Sequence, residues 1–340
     1  MHSHRGTTKG AIAIVGGESL LGKEVRELME ASDLRAGVTL IASDETEGAS
    51  VISIRREEPE VINPLLVSDV KSAKVAVLAG TQESSRKAYE EIRKAVPGIA
   101  IVDLSGALED QPEARLGAPM VESRGVEGAS SLRVIAHPAA IAVGLFLTQL
   151  QKITKIRRSV IHIFEPVSER GQAGIDQLQK QTVGLLSFKP LPKELYDAQI
   201  SFNMLPQYGS ESAHSLAAIE QTIDRHLASL LAGAGSIPMP SLRLIQAPVF
   251  HGYSMSLWVE FESNPEIETI QGDLASSHID VRTSEHEPPT NVGVAGQSGI
   301  TVGSIGIDRN DPRACWFWLV ADNLRLAAQN AVEVTREVLK

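Results

Sequence analysis

The fold is decided by residues 11–22, which read Ala-Ile-Ala-Ile-Val-Gly-Gly-Glu-Ser-Leu-Leu-Gly. The first five residues form a continuous apolar run, as a strand buried on both faces of a sheet requires. Gly16 and Gly17 interrupt this run, and apolar residues then return at helical spacing as far as Met29. A buried strand, a glycine turn and a helix begin a βαβ unit, so the stretch predicts an α/β protein with a doubly wound parallel sheet.

The same alternation of strands and helices continues as far as residue 138. Buried strands are predicted at 38–42, 74–80, 99–102 and 132–136, and helices at 22–31 and 84–95. We therefore predict a Rossmann-type domain over residues 1–138.

Residues 139–320 follow a different pattern. Ser254–Phe261 alternates between core-type residues and a second face that carries Trp258, which is typical of an antiparallel strand with one face in the core. Further strands are predicted at 159–164, 300–307 and 314–321, and helices at 171–187 and 212–231. These elements predict an α+β domain with a mainly antiparallel sheet, whose open face suits a dimer interface. A C-terminal helix is predicted within residues 321–340.

The composition narrows the class of protein. The chain has 340 residues, 43% of them hydrophobic, which suits two domains with their own cores. The net charge of -10 argues against nucleic-acid binding, and no apolar run reaches the roughly 18 residues of a membrane helix. Cys315 is the single cysteine, which excludes an internal disulfide and fits a cytoplasmic location. The first ten residues are polar, so we expect no signal peptide.

The glycine turn is a candidate dinucleotide site. In a dinucleotide fingerprint, glycines allow the tight turn, the approach of the pyrophosphate and the packing of the helix. Gly16 and Gly22 hold the first and third positions, but Ser19 holds the second, and Glu18 adds a negative charge. Backbone N–H groups at the start of the helix, near Leu20, can still hold a phosphate. The alternative is a Rossmann-type turn that binds no ligand.

An acidic stretch follows the second predicted strand. Asp44, Glu45 and Glu47 come directly after Ser43, in the region where an acidic residue holds the ribose 2′-OH of NAD. Three carboxylates would also repel the 2′-phosphate of NADP. The alternatives are NAD, NADP or no cofactor, and NAD is favoured over NADP if either binds. An acidic loop exposed to solvent accounts for the stretch equally well.

Several stretches resemble one family over nearly the whole chain. They include Val-Asp-Leu-Ser-Gly-Ala at 102–107, Ile-Ala-His-Pro at 135–138, Phe-Asn-Met-Leu-Pro at 202–206, Gln-Ala-Pro-Val-Phe at 246–250 and Val-Ala-Asp-Asn-Leu-Arg at 320–325. On these residues the sequence resembles the aspartate-semialdehyde dehydrogenases, and it is most similar to the Usg-type paralogues that lack the catalytic cysteine. The resemblance implies a Rossmann domain, an inserted dimerisation domain, a homodimer, and a C-terminal helix that returns to the first domain.

The resemblance also implies a reaction, in which a cysteine thiolate attacks the aldehyde, hydride passes to NADP and phosphate releases the acyl group. The cysteine position is Ala140 here, and the position of the general-base histidine is Tyr253, a poor base at pH 7. The family's glutamine near the cysteine matches Glu165, and the arginine that holds the substrate carboxylate matches Gln246. Four further family side chains, two arginines, a lysine and a glutamate, match Glu109, Glu45, Leu216 and Met120. The implied cofactor positions are Gly16, Ser19, Leu20, Gly22, Ser43, Asp44 and Asn323.

These losses predict a homodimer with a degenerate active site that does not oxidise the semialdehyde. The alternative is an oxidoreductase of the same family with a changed substrate and NAD as its cofactor. His137, Glu165, Glu169, His251 and Tyr253 fall in segments that line the family's site, where they could do acid–base work or bind a metal. Their spacing is not a ligand motif, so no metal site is predicted. An unidentified protein partner or small molecule stays open, and neither nucleic acid nor a membrane is expected.

Overall fold

A computed structural model describes residues 12–34, 36–43, 50–55, 58–65, 67–122 and 130–340. The acidic residues Asp44, Glu45 and Glu47 and the polar N-terminal residues lie outside this description. The described chain divides into two compact units. The first holds residues from 12–119 and 130–136 together with Ala327–Lys340, and the second holds 120–122 and His137–Leu326. The domain boundaries drawn from the sequence, 138/139 and 320/321, stay a prediction.

The first unit is built on a parallel sheet. Its strands are β1 (Ile12–Val15), β2 (Val38–Ile41), β3 (Val51–Arg55), β4 (Glu58–Ile62), β5 (Val75–Leu78), β6 (Ala100–Asp103), β7 (Ala114–Gly117) and β8 (Leu132–Ile135). Its helices are α1 (Leu20–Ala31), α2 (Val67–Lys71) and α3 (Gln82–Ala95). Six strands pair in the order β2-β1-β5-β6-β8-β7, every pair parallel, and β3 and β4 form a separate hairpin. The predicted doubly wound sheet is confirmed. The hairpin and β7 were not predicted.

The strands of this sheet are apolar because helices cover them. Every residue of β1 and β5 is at most 3% exposed, which explains why both read as continuous apolar runs. Ala88 and Ile92 of α3 pack against the sheet in one cluster with Leu78 and Ile101. Burial on both faces thus follows directly from the sequence of these strands.

The turn after β1 needs glycine at two positions. Gly16 has a φ of 81°, and a Cβ there would lie 2.6 Å from the backbone nitrogen of Gly80. A Cβ on Gly22 would lie 2.1 Å from the carbonyl oxygen of Gly16. The helix therefore leaves the strand so closely that no side chain fits between them.

The second unit combines a mixed sheet with long helices. Its helices are α4 (Pro138–Ile153), α5 (Gly171–Leu186), α6 (Leu216–Ala232), α7 (Ile267–Asp273), α8 (Asn291–Val294) and the start of α9 (Asn323–Leu339), with a 3₁₀ helix at Val167–Arg170. Its strands are β9 (Ile156–Glu165), β10 (Ser241–Gln246), β11 (Tyr253–Phe261), β12 (Ile279–Val281), β13 (Ile300–Ile307) and β14 (Ala314–Ala321). They pair in the order β10-β9-β11-β14-β13-β12. The three inner pairs are antiparallel and the two outer pairs are parallel, so the predicted mainly antiparallel sheet is confirmed.

Strand β11 shows the two faces of this sheet. Met255, Leu257, Val259 and Phe261 are fully buried, as the alternation predicts. Trp258 points to the opposite face, where it is only partly buried. The sheet therefore has one core face and one face with exposed aromatic groups.

Helix α4 was missed because it is apolar on every side. Almost every residue from Ala139 to Leu150 is buried, so the run has no helical periodicity to detect. One of its side chains, Phe146, packs edge-on against Phe317 of β14, with ring centroids 5.0 Å apart. Within the described residues, no helix has both the length and the apolar character needed to span a bilayer.

We expect Gly22→Ala to destabilise the first unit. The new methyl group would meet a backbone carbonyl that cannot move aside, and overpacking of this kind costs about 1–3 kcal/mol. The matched control is Gly98→Ala, since nothing lies within 4 Å of a Cβ at that position. Scanning calorimetry should show a clear loss of Tm for the first variant only. Equal Tm values for the two variants would refute the close contact between β1 and α1.

Candidate functional site

Two acidic residues and one arginine meet at the carboxyl end of β9. Glu165 is the last residue of the strand and is completely buried. Pro166 ends the strand, and the 3₁₀ helix that follows brings Glu169 and Arg170 back towards it. The Arg170 Nη2 atom lies 3.2 Å and 3.3 Å from the two carboxylate oxygens of Glu165. The ion pair gives Glu165 the counter-charge that a buried carboxylate needs.

A tyrosine and a glutamine complete the surroundings of Glu165. The Tyr208 hydroxyl lies 3.0 Å from Glu165 Oε2 and 2.7 Å from Gln246 Oε1. Gln246 is oriented by its Nε2, which donates to the carbonyls of Glu165 and Ala247 at 2.8 Å and 3.0 Å. The single hydroxyl proton of Tyr208 thus faces two acceptors. Burial raises the pKa of Glu165, and the positive charge of Arg170 opposes this effect.

Glu169 is held by the first residue of α9. The Asn323 Nδ2 donates to Glu169 Oε1 at 2.7 Å. The Asn323 Oδ1 accepts from the Ser168 hydroxyl at 3.1 Å and from the Gly252 N–H at 3.0 Å. Burial, and next the repulsion from Glu165, raise the pKa of Glu169 to about 7. Near neutral pH, Glu169 therefore populates both the protonated and the ionised state.

His137 completes the acidic cluster from the start of α4. The imidazole Nδ1 of His137 accepts the backbone N–H of Ala139 at 3.3 Å. The backbone N–H of His137 donates to His226 Nδ1 at 2.9 Å. The His137 Nε2 lies 3.8 Å from Glu169 Oε2. One ligand-type atom from each of His137, Glu165 and Glu169 lies within 4.8 Å of the others, a spacing that a metal ion could bridge.

The hydrogen bonding of His137 favours a proton over a metal at this cluster. Because Nδ1 accepts the backbone N–H, the proton of the neutral ring is on Nε2, the atom that faces Glu169. A metal bound at Nε2 would require that proton to leave or the helix cap to break. Arg170 already supplies a positive charge to Glu165. His137 Nε2 and Glu169 Oε2 are 3.8 Å apart, beyond direct hydrogen-bond distance, so a proton would pass between them through one bridging water or after a small side-chain movement.

Ala140 and Tyr253, at the positions that the family resemblance implies for the cysteine and the base, are both buried. Ala140 is completely buried in the first turn of α4. Tyr253 is also completely buried, with Glu169 beside it. Burial, followed by the charges of Glu169 and Glu165, raises the pKa of Tyr253 well above its usual value. It therefore keeps its proton at neutral pH and cannot act as a general base.

The structure brings four of the five polar residues predicted at this site together. They are His137, Glu165, Glu169 and Tyr253. The fifth residue is His251, whose backbone carbonyl accepts a hydrogen bond from Asn291 Nδ2 at 3.3 Å.

Sequence reasoning missed two members of the site, Arg170 and Tyr208. Arg170 follows Glu169 directly in the chain, which was a usable signal for an ion pair. Tyr208 lies 43 residues from Glu165, and nothing in its own segment marks it as a partner. A cavity of about 480 Å³ lies beside Tyr208 and is also lined by Leu216 and Arg243.

The predicted cofactor positions fall in both units. Gly16, Ser19, Leu20, Gly22 and Ser43 lie together at the carboxyl edge of the first sheet, whereas Asn323 belongs to the second unit and Asp44 lies outside the described residues. The Ser19 hydroxyl accepts the Gly22 N–H at 2.8 Å and donates to the Ala79 carbonyl at 2.8 Å. Serine in the second fingerprint position thus caps α1 and ties the turn to β5.

The single thiol of the chain lies outside the acidic cluster. Cys315 is completely buried in β14, on the strand position paired with Val259. Burial raises the pKa of this thiol to about 11. At neutral pH it is protonated and inaccessible, which makes it a structural residue rather than a nucleophile.

A parallel sheet that opens with a glycine turn, followed by an α+β unit, is the architecture of a two-domain dehydrogenase. The sequence profile of the family described as "Semialdehyde dehydrogenase, NAD binding domain" matches residues 11–129, and that of "Semialdehyde dehydrogenase, dimerisation domain" matches residues 147–326. The chain belongs to the semialdehyde dehydrogenase family.

Individual relatives agree with this assignment. The chain is 31% identical over 337 residues to a USG-1 protein homolog of Pseudomonas aeruginosa, with 97% of each chain covered. It is 26% identical over 341 residues to the aspartate-semialdehyde dehydrogenase of Rickettsia bellii, with 98% and 99% covered. Its structure is similar to that of a probable aspartate-semialdehyde dehydrogenase from Pseudomonas aeruginosa, with a TM-score of 0.83, 29% identity, and 97% and 98% of the two chains covered. The resemblance stated from the sequence is confirmed.

We expect Glu169→Gln to reduce the pH dependence of stability. A glutamate in an unfolded chain ionises near pH 4.3, whereas Glu169 keeps its proton up to about pH 7 in the folded chain. The folded state binds this proton more strongly, so its contribution to stability is complete below about pH 4.3 and is lost as the pH rises to about 7. Glutamine cannot ionise and keeps the acceptor for Asn323. The variant should therefore gain stability over the wild type at about pH 8, on the order of a few kcal/mol.

Scanning calorimetry at about pH 5 and pH 8 measures this difference. The control is Glu262→Gln, which removes an exposed carboxyl group of the same unit and should leave the pH dependence unchanged. A Glu169→Gln protein with the same loss of Tm between the two pH values as the wild type would contradict the raised pKa.

Proposed function

We propose that this chain is a semialdehyde dehydrogenase-like homodimer with a degenerate active site, which does not catalyse the phosphate- and NADP-dependent oxidation of aspartate semialdehyde. The observation that carries the proposal is Ala140, a methyl group at the position where the family resemblance implies the attacking thiolate. Without a thiol no thioester can form, and hydride transfer and phosphorolysis then have no intermediate to act on. Cys315 offers no substitute because it is buried and protonated.

The charges around the site support the same proposal. Gln246 stands at the position implied for an arginine that holds the substrate carboxylate, and both ends of its amide are engaged by Tyr208 and by two carbonyls. Arg170 could offer a positive charge, but it is paired with Glu165. An anionic substrate would therefore meet two carboxylates and a guanidinium group that is already neutralised.

A second candidate function has one observation in its favour. The pKa of Glu169 is about 7, so its carboxyl group can gain or lose a proton near neutral pH, as a general acid or base requires, and His137 Nε2 lies 3.8 Å from it. An oxidoreductase of the same family with a changed substrate and NAD as its cofactor would use such a pair. We rank it second because no thiol accompanies His137 and Glu169 among the described residues.

The residues of the first unit fit the pyrophosphate that NAD and NADP share, but they oppose the 2′-phosphate that only NADP carries. Gly16 and Gly22 allow the close strand-to-helix turn that accepts a pyrophosphate at the start of α1. Ser43, at the end of β2, has its N–H and its hydroxyl directed at the carboxylate of Glu18. A negative group in that place opposes a 2′-phosphate. We therefore propose that NAD is favoured over NADP if this unit binds a dinucleotide.

The open face of the second sheet supports a homodimer. Val160, Trp258 and Trp316 form one row across β9, β11 and β14. Val160 is 38% and Trp316 is 44% exposed. Trp258 is partly covered by its own chain, since its indole N–H donates to Asp308 at 2.8 Å and the guanidinium carbon of Arg158 lies 5.4 Å from its ring centroid. An exposed aromatic row of this kind marks an interface, and a two-fold symmetric dimer is the default arrangement.

We place the homodimer in the cytoplasm, because a chain with a single cysteine forms no internal disulfide and is compatible with a reducing compartment. The cavity beside Tyr208 supports a small-molecule ligand, although its chemical class stays open.

We expect the purified protein to show no phosphate-dependent reduction of NADP with aspartate semialdehyde. Ala140→Cys alone should not restore activity, because Tyr253 cannot act as the base and Gln246 cannot hold a carboxylate by charge. A spectrophotometric assay at 340 nm follows NADPH directly. Turnover in the wild type that persists in Cys315→Ser would overturn the proposal, and Cys315→Ser also serves as the control for trace thiol chemistry.

We expect the wild-type chain to be a dimer at micromolar concentration, and Trp316→Glu to weaken it at least about tenfold. A charge placed in the centre of an apolar interface loses solvation that the partner cannot replace. The control is Val61→Glu, a change at an exposed apolar residue of the first unit. Light scattering coupled to size exclusion measures both. A monomeric wild type would contradict the homodimer, and an unaffected Trp316→Glu dimer would contradict this face as its interface.

A further inference from the structure

The turn after β1 carries a carboxylate to the end of β2. Glu18 Oε1 accepts the backbone N–H of Ser43 at 2.9 Å and also accepts the Ser43 hydroxyl. Ser43 is 4% exposed and follows the last residue of β2 by two positions. The contact therefore links the glycine turn to the end of the second strand, at the carboxyl edge of the sheet.

That edge is where an open parallel sheet binds its ligand, and the end of the second strand is where the adenosine ribose of a dinucleotide is read. The Ser43 N–H and hydroxyl are two donors directed at one point, as an oxygen of a ribose hydroxyl or of a phosphate would require. In this chain the Glu18 carboxylate takes that point. Glu18 thereby introduces from the turn the negative charge that Rossmann folds usually place after the second strand.

The other carboxylate oxygen of Glu18 lacks a hydrogen-bond donor in the described part of the chain. Glu18 Oε2 is buried, and it has no hydrogen-bond partner among the described residues. An unsatisfied buried acceptor costs about 1–3 kcal/mol, so the carboxylate gains a hydrogen bond if the Glu18 side chain turns to meet a ribose hydroxyl. A 2′-phosphate ionised at neutral pH offers acceptors and negative charge, and it would be repelled at this distance.

The position of Glu18 in the turn is fixed by its neighbours. Ser19 donates its N–H to the Gly16 carbonyl at 3.0 Å, and its hydroxyl bridges Gly22 and Ala79. These bonds anchor the backbone immediately after Glu18, so the carboxylate cannot leave the end of β2 by a movement of the turn alone.

We propose that Glu18 determines the nucleotide specificity of the first unit, admitting dinucleotides with a free ribose 2′-OH and excluding those with a 2′-phosphate. This inference rests on the NAD preference included in the proposed function, and it assigns that preference to one residue. The acidic residues Asp44, Glu45 and Glu47 are not needed for it.

Isothermal titration calorimetry of the full chain with NAD and with NADP tests the assignment. The wild type should bind NAD at least about tenfold more tightly than NADP, a difference of about 1.4 kcal/mol. Glu18→Ala should lower this affinity ratio at least about tenfold, since it removes the charge and leaves the Ser43 donors available to a phosphate. Glu18→Gln, which keeps the shape and removes only the charge, should shift the ratio in the same direction. Glu90→Ala, which removes an exposed carboxylate from α3, should leave it unchanged.

Four results would overturn the inference. They are an NADP preference in the wild type, an unchanged ratio in both Glu18 variants, binding of NAD only after Glu18 is replaced, and no binding of either nucleotide by any of these proteins. None of them bears on whether the semialdehyde is oxidised, so failure of this inference and failure of the proposed lack of activity are distinguished by separate assays.

Discussion

The candidate site is organised by one requirement, the neutralisation of the buried carboxylate of Glu165. This side chain ends β9 with no exposure to solvent, where an unpaired charge would be prohibitively unstable. Arg170 supplies the opposite charge from the adjoining 3₁₀ helix, and Tyr208 approaches the same carboxylate from a distant segment. Two neighbouring residues depend on this arrangement. Gln246 accepts a hydrogen bond from Tyr208, and the negative charge of Glu165 raises the pKa of Glu169.

The remaining negative charge explains the protonation chemistry of the site. Two carboxylates share one guanidinium group, so one charge is left over in a buried region. A proton on Glu169, whose pKa is about 7, balances it near neutral pH, with His137 Nε2 at 3.8 Å as the neighbouring group. The charges of the residues in this site then cancel one another. The site has no surplus positive charge for an anionic substrate, in keeping with the absence of a thiol at Ala140.

Much of the fold is readable from the sequence because burial imposes simple patterns. The apolar run of β1 and the alternation of β11 each reflect how many faces of the strand are covered. Helix α4 escaped prediction for the same physical reason, since full burial removes its periodicity. The hairpin β3–β4 escaped prediction because polar residues interrupt its apolar ones, so no continuous apolar run marks either strand.

The site was predictable only in part. His137, Glu165 and Tyr253 were found because the family resemblance placed their segments at the active site, and the structure brings them together with Glu169. The role of Tyr208 depends on a contact across 43 residues, which no local pattern encodes. A carboxylate at the end of β2 was likewise expected from the acidic stretch that follows it, whereas in the described residues Glu18, 25 residues before Ser43, brings one there.

The most direct test of the degenerate site is intact-protein mass spectrometry after incubation with aspartate semialdehyde and NADP in the absence of phosphate. An enzyme with a working thiolate accumulates a covalent acyl intermediate under these conditions, because nothing releases it. We predict that the mass of this chain stays unchanged, since Ala140 has no atom that can form the bond. An adduct of the acyl mass that peptide mapping locates at Cys315, or at any other residue, would contradict it.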